Sequence, residues 1–444
     1  MDNAISQKFT TKTLIKFALP TIAMMVFLSI YTMIDAVFVS NLIGENALAA
    51  LNIAFPFINI LMGFSVMLAT GGGAIIGYNV GEGRQDSANS NLSVMYILGI
   101  GVNVVLAVIV MIWAEPLIHF LGSTPELDKY TLSYLMPMLF FIPINASQIL
   151  GQFYIVTAGK PHIGLVLTVI GGISNIVLDY VFIAIFDWGI SGAAIATGIG
   201  YSIPGLYSIL FFFNKKNSLH FGKPVFDYKT IWGAISNGIS EMVTSLSTAV
   251  TTIMFNIIML DLVGESGVAA MTAIFYLQFL QVAIHLGFSS GVSPIFSYNF
   301  GCGDKLYLDW LHKTSTKFTV IISIIITVLT VIFADFAVGI FISTQSPTFA
   351  LAKHGLMLFS ISCLTTGINV YASALFTALS NGKISAIISL ARTFVFIVAS
   401  LLILPKFLDV DGVFLAIPLA ETLAIFISLI CIKKYKDTYF RSPF

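Results

Sequence analysis

Apolar runs of membrane-spanning length recur twelve times along this chain. They lie near residues 14–39, 47–78, 92–113, 131–155, 162–186 and 190–213, then near 231–260, 267–298, 315–335, 351–378, 384–404 and 412–432. About 20 apolar residues in a helix cross the hydrocarbon of a bilayer, and because hydrocarbon offers the backbone no water, each segment must close its own hydrogen bonds. The expected fold is an all-α polytopic membrane protein with twelve transmembrane helices in two six-helix bundles. Composition agrees, since 9% of residues are charged where a soluble domain carries about 25%. The first run follows Lys8, Lys12 and Lys16 and has no small-residue cleavage site, so it reads as a spanning helix and not as a removable signal peptide. Cys302, Cys363 and Cys431 are isolated, without metal-ligand spacing, and read as packing residues.

Charge placement orients the helices. Of the Lys and Arg residues, 17 fall in the termini and loops of one face and 3 (Lys129, Lys353, Lys406) on the other, while Arg392 sits inside a helix. Positive residues stay cytoplasmic, which predicts that both termini and the central linker are cytoplasmic. The chain divides into an N-terminal lobe over 1–213, a cytoplasmic linker over 214–230 and a C-terminal lobe over 231–444.

The halves repeat. Residues 41–83 align without a gap on 261–303, with 12 identities that include Leu42-x-Gly44-Glu45 on Leu262-x-Gly264-Glu265 and Tyr78-Asn79-x-Gly81-x-Gly83 on Tyr298-Asn299-x-Gly301-x-Gly303. An even number of helices per half makes the repeats parallel, related by a pseudo-two-fold along the membrane normal. Secondary transporters use such repeats, with the substrate site between halves that rock about it.

Ionisable groups inside hydrocarbon are costly and point to function. Asn175 and Asp179 are four apart, on one face of the fifth helix, and Thr197 lies at a similar depth on the sixth. Asp35 is near the outer end of the first helix and Tyr134 near the outer start of the fourth, so all five share one level of the N-terminal lobe. Carboxylate, amide and hydroxyl oxygens suit a hard monovalent cation. They equally suit a proton, because two neighbouring carboxylates resist simultaneous ionisation. Interhelical packing is the competing account. Glu241 is a further acidic residue, about ten residues into the seventh helix, and Arg392 and Glu421 lie at similar depths on the eleventh and twelfth, where a self-neutralising pair is expected. Gly71-Gly72-Gly73 reads as close packing or a hinge, since no Gly-Lys-Ser/Thr follows it.

The two-times-six layout, Pro20 fifteen residues before Asp35, and the Tyr134, Asn175, Asp179, Thr197 spacing resemble the MATE family of multidrug and toxic compound extrusion transporters. The Gly-Glu-x-Ala-Leu-Ala-Ala segment of 44–50 and the Tyr-Asn-x-Gly-x-Gly loops are similar to its MepA-like bacterial branch. The resemblance implies a secondary active antiporter of a bacterial inner membrane, exporting organic, often cationic, drugs in exchange for H+ or Na+ and conferring resistance. It further implies coupling at Asp35, Tyr134, Asn175, Asp179 and Thr197, a hinge at Pro20, and a C-terminal-lobe coupling or drug contact at Glu241. No acidic residue occurs on the tenth helix, where some relatives carry one, so the ion is placed in the N-terminal lobe. Tyr31, Met33, Phe55, Met62, Phe153, Tyr154, Met271, Phe275 and Tyr276 are candidates for the cavity wall, because aromatic faces and thioethers hold flat organic cations.

The expected partners are small organic cations and the lipid bilayer. No cofactor, nucleic acid, required protein partner or metal other than Na+ is expected, and the chain is not expected to be an enzyme. A flippase for a lipid-linked precursor is the alternative; it would want several deep cationic residues, and Arg392 is the one present. An intramembrane aspartyl protease would require a Gly-x-Gly-Asp signature, and the contexts Met-Ile-Asp35-Ala and Val-Leu-Asp179-Tyr lack it. No loop is long enough for an ATP-binding domain.

Overall fold

The computed structural model describes residues 4–43, 45–120 and 123–440, with the side chains of 36–41, 45–49, 52 and 126 outside that description. The Gly44–Ala49 part of the repeat therefore lies outside the described side chains. Twelve helices among the described residues are long and apolar enough to cross a membrane. The first half contains α1 (Thr11–Leu42), α2 (Glu45–Gly81), α3 (Gln85–Ile112), α4 (Pro125–Thr157), α5 (Pro161–Asp179, continued by a π-helical turn over Tyr180–Ile185) and α6 (Gly189–Phe213). The second contains α7 (Tyr228–Val263), α8 (Glu265–Gly301) and α9 (Lys305–Ile332). It continues with α10 (Pro347–Phe359 and Cys363–Ala378, joined by a 3-10 turn), α11 (Gly382–Leu390, a π turn over Ala391–Val395, and Phe396–Ile403) and α12 (Ala416–Lys434). Short helices at Ala114–Phe120, Ala334–Gly339 and Pro405–Phe414 link spans. We call the end carrying Arg84, Lys160 and Lys383 the basic face.

Boundaries follow local chemistry. Pro125, Pro161 and Pro347 open helices at the first positions, where a missing N–H costs nothing. Gly83 (φ +76°) and Gly303 (φ +71°) take the left-handed conformation at matching places in the two repeats. Asp187 (φ +54°) and Gly189 (φ +56°) turn the chain between α5 and α6, with Trp188 stacked on Phe182 at 4.7 Å.

The chain forms two compact units: Met1–Gly238 with Ser290–Cys302, and Ile239–Ser289 with Gly303–Phe444. In the first, Leu51, Leu61, Leu135, Leu139 and Ile142 pack one core, and Leu92, Met95, Tyr96, Leu150 and Tyr154 another. In the second, Phe255, Met259, Met271, Phe359 and Phe414 form the core.

The repeated Gly-x-Gly loops have a packing role within the first unit. A Cβ on Gly81 would stand 2.0 Å from the Tyr298 carbonyl oxygen, and one on Gly301 would stand 2.1 Å from that of Tyr78. The two backbones thus touch reciprocally, and the Cys302 thiol donates to the Gly81 oxygen at 3.2 Å. Gly71 and Gly238 repeat the arrangement between α2 and α7, against the Ala234 oxygen (2.0 Å) and the Met67 oxygen (1.9 Å). Gly72 seats the Tyr154 hydroxyl and Met95. Close packing accounts for Gly71 and Gly72, whereas a Cβ on Gly73 would meet the Tyr154 ring at an ordinary 3.7 Å.

Within the stretch read from sequence as a linker, residues 217–225 are docked on the rest of the first unit. Leu219 is fully buried, and the Phe221 ring meets Tyr96 (5.1 Å), Phe212 (5.8 Å) and Phe213 (5.1 Å). Gln85 Nε2 donates to the Ser218 oxygen (2.6 Å), Lys160 Nζ to Asn217 Oδ1 (2.9 Å) and Val225 N to Ser90 Oγ (3.0 Å). Leu219 and Phe221 are two apolar anchors among polar residues and give no periodic signal in the sequence. Asp227 then caps α7, accepting from Thr230 Oγ1 (2.7 Å) and Thr230 N (3.1 Å), and these bonds hold its carboxyl below the usual carboxylate range.

Candidate functional site

Glycine builds the site. A Cβ on Gly171 of α5 would lie 2.7 Å from the Gly200 oxygen of α6, and one on Gly200 would lie 2.9 Å from Asn175 Cβ, so the two helices meet backbone to backbone. That closeness lets Asn175 Nδ2 donate to Thr197 Oγ1 at 3.3 Å. Gly172 seats Phe27 and Tyr31 of α1, which brings the Asp35 end of that helix beside α5.

Around this junction the five polar residues expected to share a level do meet. Asp179 interacts with Asp35 and Asn175, and Tyr134 with both carboxylates. Asp179 is fully buried and stands at the last α-helical position before the π turn, a distortion often found where a helix serves a site. Both Asp179 oxygens, Asp35 Oδ1 and Asn175 Oδ1 are buried without a hydrogen-bond partner. Buried polar atoms are nearly always paired. Four such oxygens face one another in one place, and a shared proton or a hard cation would satisfy them.

Two residues that the sequence reading passed over belong here. Tyr201 interacts with Tyr31 and Asp35, and Gln148 of α4 lines a cavity with Tyr31, Thr168, Asn175, Thr197 and Tyr201. The cavity has about 10 Å³ of room for the centre of a water-sized sphere, enough for one water or a bare monovalent ion. Tyr201 follows Thr197 by one helical turn, a spacing that would have found it.

Pro20 lies inside an unbroken α1. Glu241 belongs to the second unit, half-buried, with Arg392 and His285 nearby. Arg392 and Glu421 form the expected pair: Nε and one terminal nitrogen each reach Glu421 Oε1 at 3.2 Å, and Asn369 Nδ2 donates to Oε2 at 2.7 Å. Arg392 sits in a π turn, as Asp179 borders one.

The aromatic and Met candidates separate. Phe55 is 41% exposed, Met33, Met62 and Phe153 are partly buried, and Tyr276 stacks on Phe341 at 5.6 Å. Phe275 packs edge-on against Phe255 at 5.2 Å. Tyr154 and Met271 are fully buried in the cores of their own units, and Tyr154 OH donates to the Leu68 oxygen at 2.8 Å. Tyr31 is buried beside the carboxylates. In this conformation Tyr154, Met271 and Tyr31 offer a solute no surface, a distinction that helical spacing alone does not make.

A model of the MatE family matches residues 20–181 and 240–402. The chain is 25% identical over 432 residues to the multidrug export protein MepA of Staphylococcus haemolyticus (strain JCSC1435), covering 96% of this chain and 94% of that protein. It is 23% identical to the protein of the same name from Staphylococcus saprophyticus subsp. saprophyticus over the same shares. Among solved structures, a MATE transporter in complex with MaL6 superposes with a TM-score of 0.92 at 20% identity, covering 99% of each chain. An outward-facing multidrug resistance MATE transporter of the MOP superfamily gives a TM-score of 0.91 at 20% identity, over 97% of this chain and 96% of its own.

Proposed function

Since the chain belongs to the MatE family, a family of multi-pass transporters and not of enzymes, we propose that it is a secondary active multidrug efflux antiporter. It exports organic, often cationic, compounds in exchange for H+ or Na+ taken up at Asp35, Tyr134, Asn175, Asp179 and Thr197. The observation that carries this reading is the set of buried, unpartnered oxygens on Asp35, Asn175 and Asp179. Staphylococcal relatives named for multidrug export support the class of cargo.

The mechanism follows from the cost of burying charge. Two carboxylates in a dry bundle are tolerable when a proton or cation neutralises them, and strongly unfavourable when they stand ionised and alone. Ion-bound and ion-free forms therefore prefer different arrangements of α1 against α5 and α6, and an ion shifts an equilibrium only by its differential affinity for the two. External ion drives the chain to the arrangement that releases drug outward; loss of the ion inward restores the one that binds drug from the cytoplasm or inner leaflet. Pro20 is the proposed flexure in α1, and Glu241 the proposed contact for cationic cargo or a second ion. The charge asymmetry of the loops supports cytoplasmic termini in a bacterial inner membrane, with lobes over 1–213 and 231–444 and a linker over 214–230. The flippase alternative loses support because Arg392 is neutralised by Glu421.

The test is efflux of a fluorescent organic cation from proteoliposomes under an imposed pH gradient and then a Na+ gradient, with wild type and Asp179→Asn side by side. The expected result is transport driven by one gradient and lost in the variant while folded protein remains. Wild-type exchange in Asp179→Asn would refute the assignment of the site.

A further inference from the structure

α4 carries three carboxamides inside the first unit, Asn145, Gln148 and Gln152, of which only Gln148 borders the ion site described above. Asn145 is 2% exposed, with both Nδ2 and Oδ1 unpartnered. Gln148, 7% exposed, lines the small cavity beside Asn175, Thr197 and Tyr201. Its Nε2 donates to Gln152 Oε1 at 3.1 Å, and Gln152 Nε2 faces the Met25 sulfur of α1 at 4.0 Å.

Positions 134, 138, 141, 145, 148 and 152 repeat at three and four residues, so Tyr134 and the three amides share one face of α4. The row begins at the level of the carboxylates. Because α4 ends at Thr157, Gln152 lies about 8 Å from the basic end at 1.5 Å per residue. Amides are costly in a lipid-embedded bundle unless they have partners, and here three of them lead from the ion site toward one face.

We propose that the coupling ion leaves the carboxylates toward the basic face along α4, passing from Asn175 and Thr197 to the amide oxygen of Gln148 and then to that of Gln152. The proposal rests on the antiport reading and adds the residues of the release step. Neutral amides suit that step, since a path must bind strongly enough to admit an ion and weakly enough to let it go; a carboxylate in their place would hold it. A sodium ion would exchange hard carboxylate oxygen for hard amide oxygen. A proton would leave the Asp carboxyl for water ordered by the amides, the carboxylate regaining its negative charge and the amides staying unprotonated.

The experiment compares wild type, Gln148→Leu, Gln148→Asn, Gln152→Met and Asp179→Asn in proteoliposomes, reading the maximal rate and the half-saturating drug concentration of gradient-driven exchange. Gln152→Met keeps an unbranched chain of similar length beside Met25, so it guards against loss through misfolding. Gln148→Leu and Gln152→Met are expected to lower the maximal rate at least tenfold with drug half-saturation within twofold of wild type, and Gln148→Asn to recover to within threefold. A wild-type rate in Gln152→Met and Gln148→Leu, with Asp179→Asn inactive, overturns the release path and leaves the coupling site standing. Loss in which drug half-saturation rises in step, or in which Gln148→Asn is as impaired as Gln148→Leu, also overturns the path. Wild-type exchange in Asp179→Asn overturns the coupling site and the path together.

Discussion

Replacing Gly81 with alanine tests the reciprocal glycine contact. The new methyl group would stand 2.0 Å from the Tyr298 oxygen, 1.4 Å short of ordinary contact at 3.4 Å. Neither partner has a rotamer to move, because the obstruction is backbone, so α2 and α8 must part. Overpacking costs about 1–3 kcal/mol, and a backbone obstruction belongs at the upper end; alanine's better helix propensity offsets about 0.5–1 kcal/mol. The net cost is about 2 kcal/mol, roughly a thirtyfold shift away from the arrangement in which these loops touch. Gly301→Ala meets the Tyr78 oxygen at 2.1 Å and should cost the same alone. Once the helices have parted for one methyl the second is nearly free, so the double variant is expected to fall short of additivity by about 1 kcal/mol or more. Gly101→Ala on α3, where nothing lies within 4 Å, is the control that carries the propensity gain without the obstruction, and is expected to match wild type or exceed it by up to about 1 kcal/mol. Thermal unfolding in detergent should show drops of about 2–6 °C for each single variant, with exchange rates measured in parallel. Stability and exchange equal to wild type in Gly81→Ala would refute the contact.

Two further outcomes follow from packing described above. Glu421→Ala leaves Arg392 buried without its carboxylate and is expected to cost about 3–5 kcal/mol, read as a lowered melting temperature and reduced membrane yield, whereas Glu421→Gln, which keeps an acceptor for Asn369, should cost less; equal stability of the alanine variant and wild type would show that the pair does not hold α11 to α12. Phe221→Ala removes the ring lodged among Tyr96, Phe212 and Phe213, and a loss of about 2 kcal/mol of burial should speed tryptic cleavage after Lys216 about thirtyfold with little change in global melting; an unchanged cleavage rate would mean the segment is held elsewhere.

What the sequence made legible was what membrane physics makes expensive. Asp179 and Asn175 stand out because charge and amide in hydrocarbon demand a reason, and their four-residue spacing fixes a shared face, with Thr197 placed beside them by its depth on the next helix. Tyr201 and Gln148 do not, since tyrosine and glutamine are common near membrane surfaces and depth alone does not say which way they turn. The glycines that assemble the site, Gly171 and Gly200, read as generic small residues until their carbonyl contacts were visible. The π turn after Asp179 leaves no mark in composition. Tyr154 and Met271 are candidates for a solute-facing wall on type alone, and in this structure both are buried in their own cores. The docked linker was hidden because Leu219 and Phe221 are two anchors without a period.

One feature of the fold bears on mechanics. The chain passes between the compact units three times, at Gly238 with Ile239 and at Ser289 with Ser290, inside the unbroken helices α7 and α8, and at Cys302 with Gly303, in the turn after α8. Two of these crossings are thus made in continuous helix and the third in a glycine turn. At the two helical crossings any change of direction has to bend the helix itself, so backbone stiffness at positions such as Gly238 is a property of α7 and not of a loop.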